Sequence, residues 1–221
     1  MTFPTPRTPV GGSIAAGGTV NRVVSLPAGI VAGDLMVVAC VALIAAGAIT
    51  PPAGWTLISG SWGTGTDGRG IYWKIAVGGE TSATWIAANT SGSMHAAAMA
   101  FSGASGSPEY TFSDRDGSST MDSPSITASW GLADNLFCAI HYFSDPSDFP
   151  VAYPTSYTLM QGGYSTGTTG FRVSARELAS ATDNPASVSA GGTLTEGKAA
   201  TLVIRPLVAS TAVARGGYMM G

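Results

Sequence analysis

The stretch GDLMVVACVALIAAGAITPPAGWTLI, residues 33–58, decides how the rest of the chain is organised. It holds the longest apolar run in the sequence, then the pair Pro51-Pro52, then Trp55-Thr56-Leu57-Ile58 as a strand start. An unbroken apolar run suits a central strand buried on both faces, because neither face then needs polar side chains for water. The same run also raises the question of a membrane span. From Leu35 to Ile49 it falls short of the about 20 residues a helix needs to cross a bilayer, and Asp34 and the two prolines bound it.

A weaker copy of the stretch answers that question. Ala133-Asp134-Asn135-Leu136-Phe137 matches Ala32-Gly33-Asp34-Leu35-Met36. Tyr153-Pro154-Thr155-Ser156-Tyr157-Thr158-Leu159-Met160 matches Pro51-Pro52-Ala53-Gly54-Trp55-Thr56-Leu57-Ile58. The copy of the apolar run carries His141, Ser144, Asp145 and Asp148, so a membrane span would not sit at the same place. The Gly-rich segments SGSWGTGTDGRG and GGYSTGTTG correspond next, followed by IYWKIA and FRVSAR. In the first of these strands Ile71, Trp73 and Ile75 point one way, and Tyr72 and Lys74 the other. In the second, Phe171, Val173 and Ala175 point inward, and Arg172, Ser174 and Arg176 outward. Residues 199–204, AATLVI, answer residues 97–101. A repeat of roughly 100 residues is too long for one solenoid unit and suits half a sandwich.

We therefore expect an all-β chain, an antiparallel β-sandwich of jelly-roll type. Two pseudo-repeats, residues 19–104 and 120–207, would each supply half its strands. Two tandem immunoglobulin-sized sandwiches are the alternative. Residues 1–18, with Pro4, Pro6 and Pro9 and then Gly11, Gly12, Gly17 and Gly18, read as an extended N-terminal arm. Residues 208–221 read as a C-terminal tail. Composition agrees with strands and turns: charged residues make up only 10% of the chain, against about 25% in ordinary domains, so helices with charged outer faces are not expected.

The formal net charge is −3 and no basic run breaks it, so nucleic acid is not an expected partner. No apolar signal-peptide core follows the basic residue of MTFPTPRTPV. Cys40 and Cys138 lie inside apolar strands, where a free buried thiol is the common state, and a disulfide between them is the alternative.

Motifs that could carry chemistry dissolve when their context is read. Gly63-Thr64-Gly65-Thr66-Asp67-Gly68 matches GxGxxG, but a strand follows where a dinucleotide site needs a helix. Gly163-Tyr164-Ser165-Thr166-Gly167 matches the nucleophile elbow, yet no histidine follows Ser165. His95, His141 and the two cysteines lack zinc-ligand spacing and read as scaffolding. Asp114-Arg115-Asp116-Gly117 begins like a calcium loop, but Ser125 stands where the closing glutamate belongs. Asn89-Thr90-Ser91 is a glycosylation sequon without a secretory signal. Among Asp34, Glu80, Glu109, Asp114, Asp116 and Glu177, no spacing marks a glycosidase pair. Trp62, Tyr72, Tyr153 and Tyr164 are candidates for an exposed sugar-stacking or interface patch, while Trp55, Trp73 and Trp85 belong to the core. We thus expect no catalytic residues, no cofactor and no metal.

One resemblance gives this architecture a setting. Gly33-Asp34 before an apolar strand, then Pro51-Pro52-Ala53-Gly54-Trp55-Thr56-Leu57-Ile58, Tyr72-Trp73-Lys74, and an alanine-rich strand ending Phe101-Ser102-Gly103 are similar to a β-sandwich family common among tailed-bacteriophage structural genes. Its members are minor tail, fibre-associated or head-decoration proteins. The likeness covers residues 20–104 and is fainter over the second copy. It implies a non-enzymatic virion protein on the exterior of capsid or tail, assembled in the host cytoplasm. Apart from the resemblance, the Pro/Gly-rich arm and the apolar tail lead us to expect both ends to pack on neighbouring subunits, with partners among its own copies, as a homotrimer, and among major capsid or tail proteins. A carbohydrate-binding or adhesin module recognising a host surface glycan is the alternative.

Overall fold

A computed structural model describes residues 2–14, 20–42, 49–60, 68–87, 94–143, 145, 152–164 and 170–208 of the protein. Among them are 17 strands and no helix. The first half contributes β1 (Thr5–Pro6), β2 (Val10–Ile14), β3 (Asn21–Ser25), β4 (Leu35–Ala42), β5 (Thr56–Gly60), β6 (Gly68–Ile75), β7 (Ser82–Ile86) and β8 (Met94–Ser102). The second contributes β9 (Glu109–Asp114), β10 (Thr120–Met121), β11 (Ile126–Thr127), β12 (Asp134–Phe143), β13 (Thr158–Tyr164), β14 (Gly170–Ala179), β15 (Thr182–Asp183), β16 (Val188–Ser189) and β17 (Gly197–Ile204).

Two large sheets organise these strands, and every pairing is antiparallel. Sheet one runs β5-β6-β4-β8, with β1 and β2 both on the free side of β8. Sheet two runs β13-β14-β12-β17-β9. Three strand pairs, β3-β7, β11-β15 and β10-β16, lie apart from them. Each large sheet draws its strands from one half of the chain, whereas in a jelly roll the chain passes back and forth between the facing sheets. The strand order therefore departs from the jelly-roll expectation.

The apolar run explains the layering. On β4, Leu35, Val37, Ala39 and Val41 join a central cluster with Leu136, Cys138, Ile140 and Tyr142 of β12. The alternate residues Met36, Val38 and Cys40 join a second cluster with Val24, Trp85 and Trp55 beneath the β3-β7 pair. Both faces of β4 are thus covered, and Leu35 through Val41 are all at most 1% exposed. β12 repeats this arrangement, with Phe137 and Ala139 turned to an outer cluster holding Ile126 and Tyr157. The result is sandwich-like with four layers: two large sheets face to face and a thin layer of short strands on each outer side. Arg69 of β6 crosses between the sheets, its guanidinium 4.4 Å from the centre of the Tyr142 ring and its Nη2 on the Glu196 carboxylate. No helix among the described residues is long and apolar enough to cross a membrane.

Matched details recur in both sheets. The β5-β6 register shifts between Leu57 and Ser59, and the β13-β14 register between Leu159 and Gln161. The residues left out of the ladder, Ile58 and Met160, both turn into the central cluster, as a bulge allows. Each preceding turn closes alike, Trp55 N–H donating to the Pro52 carbonyl at 3.3 Å and Tyr157 N–H to the Pro154 carbonyl at 3.0 Å. At the left-handed position of these turns stand Gly54 (φ 83°) and Ser156 (φ 70°).

The segment expected as a free arm is part of sheet one. Val10 pairs with Ala98 and Ile14 with Met94, while Thr5 and Pro6 pair with Ser102 and Phe101. Arg7 Nε donates to Asp34 Oδ2 at 2.6 Å, so the segment docks on its own chain. Residues 209–221, most of the expected tail, lie outside the described residues.

Candidate functional site

Among the described residues, both histidines, both cysteines and several carboxylates are held within the fold. His141 lies on the outer face of β12, fully buried, with Nε2 2.8 Å from Ser123 Oγ. Burial pushes its imidazole down to about 4, and the nearby Arg172 charge adds to the effect. His95 of β8 is buried in the other sheet, and burial lowers it too. Cys40 and Cys138 are free, and they face different clusters, so the strands keep them apart. Burial raises both thiols, that of Cys138 to about 12. Among the described residues no group of three or more His, Cys, Asp or Glu side chains gathers as a metal site.

The sequence that begins like a calcium loop holds a cation of its own. Lys198 of β17, buried, donates from Nζ to Asp114 Oδ1 at 2.6 Å and to Asp116 Oδ2 at 2.7 Å. Gly197 N–H donates to Asp116 Oδ1 at 2.8 Å, and Asp116 N–H to Asp114 Oδ1 at 3.1 Å. Partial burial works to raise the Asp114 carboxyl, but the Lys198 ammonium and the Asp116 amide outweigh it, and the group sits below the usual carboxylate range. The ammonium occupies the place between these carboxylates that a metal would need.

Other carboxylates also have structural roles. Glu80 accepts the Val77 and Gly78 N–H groups, each at 2.8 Å, in the turn before β7. Glu109 accepts the Ser129 N–H at 2.8 Å and the Ser129 hydroxyl. Asp183 accepts the Tyr157 hydroxyl at 2.7 Å and Arg176 Nη1 at 3.2 Å. Asp34 binds Arg7 and the Val31 N–H.

The expected aromatic patch does not form as read. Tyr72 is only 4% exposed, because β3 and β7 cover the face it projects from; its hydroxyl donates to the Ile49 carbonyl at 3.1 Å, and its ring meets Trp85 edge-on at 6.3 Å. Tyr153 is exposed, whereas Trp62 and the side chain of Tyr164 lie outside the described residues. Trp55 and Trp85 are buried 5.0 Å apart between their ring centres, and Trp73 is partly buried against the central cluster, as expected of core residues. Of the two glycine motifs, Gly68 opens strand β6, and Gly163 and Tyr164 close β13. Residues 61–67, 88–93 and 165–169, with the rest of those motifs and the sequon, are outside the described residues.

What the structure adds is a cleft of about 640 Å³ between residues 6–9 and the β13-β14 end of sheet two. Leu136, Met160 and Ala175 line it from the central cluster, and Arg7, Ser156, Arg176 and Glu177 supply polar groups. Sequence reading missed it because its walls come from positions far apart in the chain. One signal was present: Thr155-Ser156-Tyr157 stands in the second half where Ala53-Gly54-Trp55 stands in the first, placing serine at a glycine's turn position. The cleft brings Glu177 together with two arginines, and each of these already pairs with an aspartate. No protein-family model matches the chain, and no curated protein or solved structure is significantly similar to it, so the likeness to phage virion proteins stands on its quoted residues alone.

Proposed function

We propose that the protein is a non-enzymatic structural subunit of a tailed-bacteriophage virion, carried on the exterior of the capsid or tail and assembled among its own copies and other virion proteins. The observation that carries this reading is the employment of its reactive side chains. The histidines and cysteines are buried, and Asp34, Glu80, Glu109, Asp114, Asp116 and Asp183 hold turns, loops or buried cations. A surface poor in charge, with Val77 and Leu132 about three-quarters exposed, supports contact with neighbouring subunits.

We further infer that the two halves are copies of one unit, each a large sheet (six strands in the first half, five in the second) with a thin outer layer, joined main sheet to main sheet. The matched bulges, the matched turns and the shared order of four strands, β5-β6-β4-β8 and β13-β14-β12-β17, support this. Immunogold labelling of tailed particles from the source of the sequence, with antibody against the purified chain, tests the assignment. Regular labelling of the particle surface is expected. Particles that carry no copy of the chain would overturn it.

A further inference from the structure

We propose that the cleft between residues 6–9 and the β13-β14 end is a binding site for a saccharide residue. The proposal holds whether or not the chain belongs to a virion. At about 640 Å³ the cleft falls within the about 300–1,000 Å³ usual for small-molecule sites.

The backbone singles out one of its residues. Ser156 is the only non-glycine residue with positive φ among the described residues, and the equivalent turn in the first half uses Gly54. Glycine adopts this conformation without steric cost, whereas a side chain there is strained. What serine adds at the cleft is a hydroxyl. Outliers of this kind concentrate at binding sites, where surrounding structure maintains them.

The polar groups narrow the ligand. Arg7 engages Asp34 through Nε, and Arg176 engages Asp183 through Nη1. Among the described residues their remaining guanidinium donors have no partner, and they line the same cleft as Ser156 and Thr158. Both charges are balanced by their aspartates, and Glu177 adds an acceptor, so the cleft has no excess of positive charge to attract a phosphate or sulfate. A purely apolar ligand would bury guanidinium and carboxylate groups unpaired. A saccharide meets both requirements. Its hydroxyls accept from Arg7, Arg176 and Ser156 and donate to Glu177, and its C–H face rests on Leu136, Met160 and Ala175.

The test presents the full chain to an immobilised panel of neutral and uronic-acid-containing oligosaccharides, then titrates the strongest binder calorimetrically. Ser156→Gly and Glu177→Gln should each weaken binding by about tenfold or more, the effect of losing one good polar contact. Ser156→Gly should at the same time raise the thermal midpoint, which separates lost recognition from lost folding. Phe112→Ala, on the opposite edge of sheet two, should bind as the parent does. Binding to no member of the panel would overturn the proposal. So would parental affinity in Ser156→Gly, or a loss confined to Phe112→Ala.

Discussion

Asp34 and Asn135 enter the middle strands of the two large sheets at matching places, both buried, and their partners differ in kind. The Asp34 carboxylate takes its counter-charge from outside its own turn, from Arg7 on the segment that edges sheet one, at 2.6 Å. Asn135 needs no counter-charge: Trp130 Nε1 donates to its Oδ1 at 2.9 Å, and its Nδ2 donates to the Ser180 carbonyl at 2.7 Å. The edges of the sheets differ correspondingly. Gly11, opposite Ala97, lies so close to sheet two that a Cβ would stand 2.8 Å from Gln161 Nε2 and 3.0 Å from the Ala96 carbonyl. Phe112, opposite Ala200 on the far edge, is 53% exposed, and Tyr110 beside it is 40% exposed. The β8 edge of sheet one is covered by a segment with its own ion pair. At the far edge of sheet two aromatic side chains face solvent. A charge at the head of a middle strand is therefore affordable only where another segment delivers a cation to it.

Exchanging the two polar residues should break this comparison most severely. Asn135→Asp places a buried carboxylate against the Ser180 carbonyl with no described cation at hydrogen-bonding distance, and should cost about 4 kcal/mol, the scale of an uncompensated buried charge. Asp34→Asn strands the partly exposed Arg7 and should cost about 2 kcal/mol, in line with a lost charge-assisted bond. Urea unfolding of both variants checks the order; equal losses would mean that the two sites are equivalent after all.

Acid should act on sheet two through His141. Its folded value of about 4 lies below the model-peptide value of 6.5, so the unfolded chain binds the proton first as pH falls. The contribution is complete above about pH 6.5 and is lost as pH drops towards 4, by at most about 3 kcal/mol. His95 shifts in the same direction and adds to the loss. Denaturant melts at pH 7.5 and pH 5 should show the parent weakened at pH 5, and His141→Gln weakened less. Hydrogen exchange should place the acid-induced opening first over residues 120–127, because Ser123 binds the imidazole there. An identical pH response in His141→Gln would remove this residue as the source.

The smallest effect sharpens the comparison of the two turns. Ser156→Gly should stabilise by about 1 kcal/mol, the left-handed strain relieved less the added flexibility of the unfolded chain. Gly54→Ala should destabilise by a similar amount, since it introduces at φ 83° the strain that Ser156 already bears. Differential scanning calorimetry of the two variants should show midpoint shifts of opposite sign.

Much of this architecture was legible along the chain because the central strands are buried on both sides. Residues 35–41 must be apolar at every position, and that pattern survives without knowledge of what covers each face. The match of residues 51–58 to 153–160 was legible for a similar reason, since the prolines that open each segment are a local requirement. The fate of polar residues was not. The unfinished calcium loop reads alike whether its aspartates hold a metal or Lys198, a residue more than 80 positions away that only the β9-β17 pairing brings to it. Tyr72 reads as the outward member of an alternating strand, and its burial depends on Trp85 and the β3-β7 layer. The cleft is the extreme case, since Arg7, Ser156 and Arg176 share no local pattern.

By itself the sequence determined the strand class, the doubly buried middle strands and the match between residues 51–58 and 153–160, all consequences of apolar periodicity and backbone geometry acting over a few residues. Only the tertiary structure decided the four-layer stacking, the docking of residues 5–14 on β8, the cation that fills the aspartate loop and the cleft beside Ser156. These depend on which distant groups neutralise one another once water is removed, and electrostatic pairing across a core leaves no periodic trace in the chain.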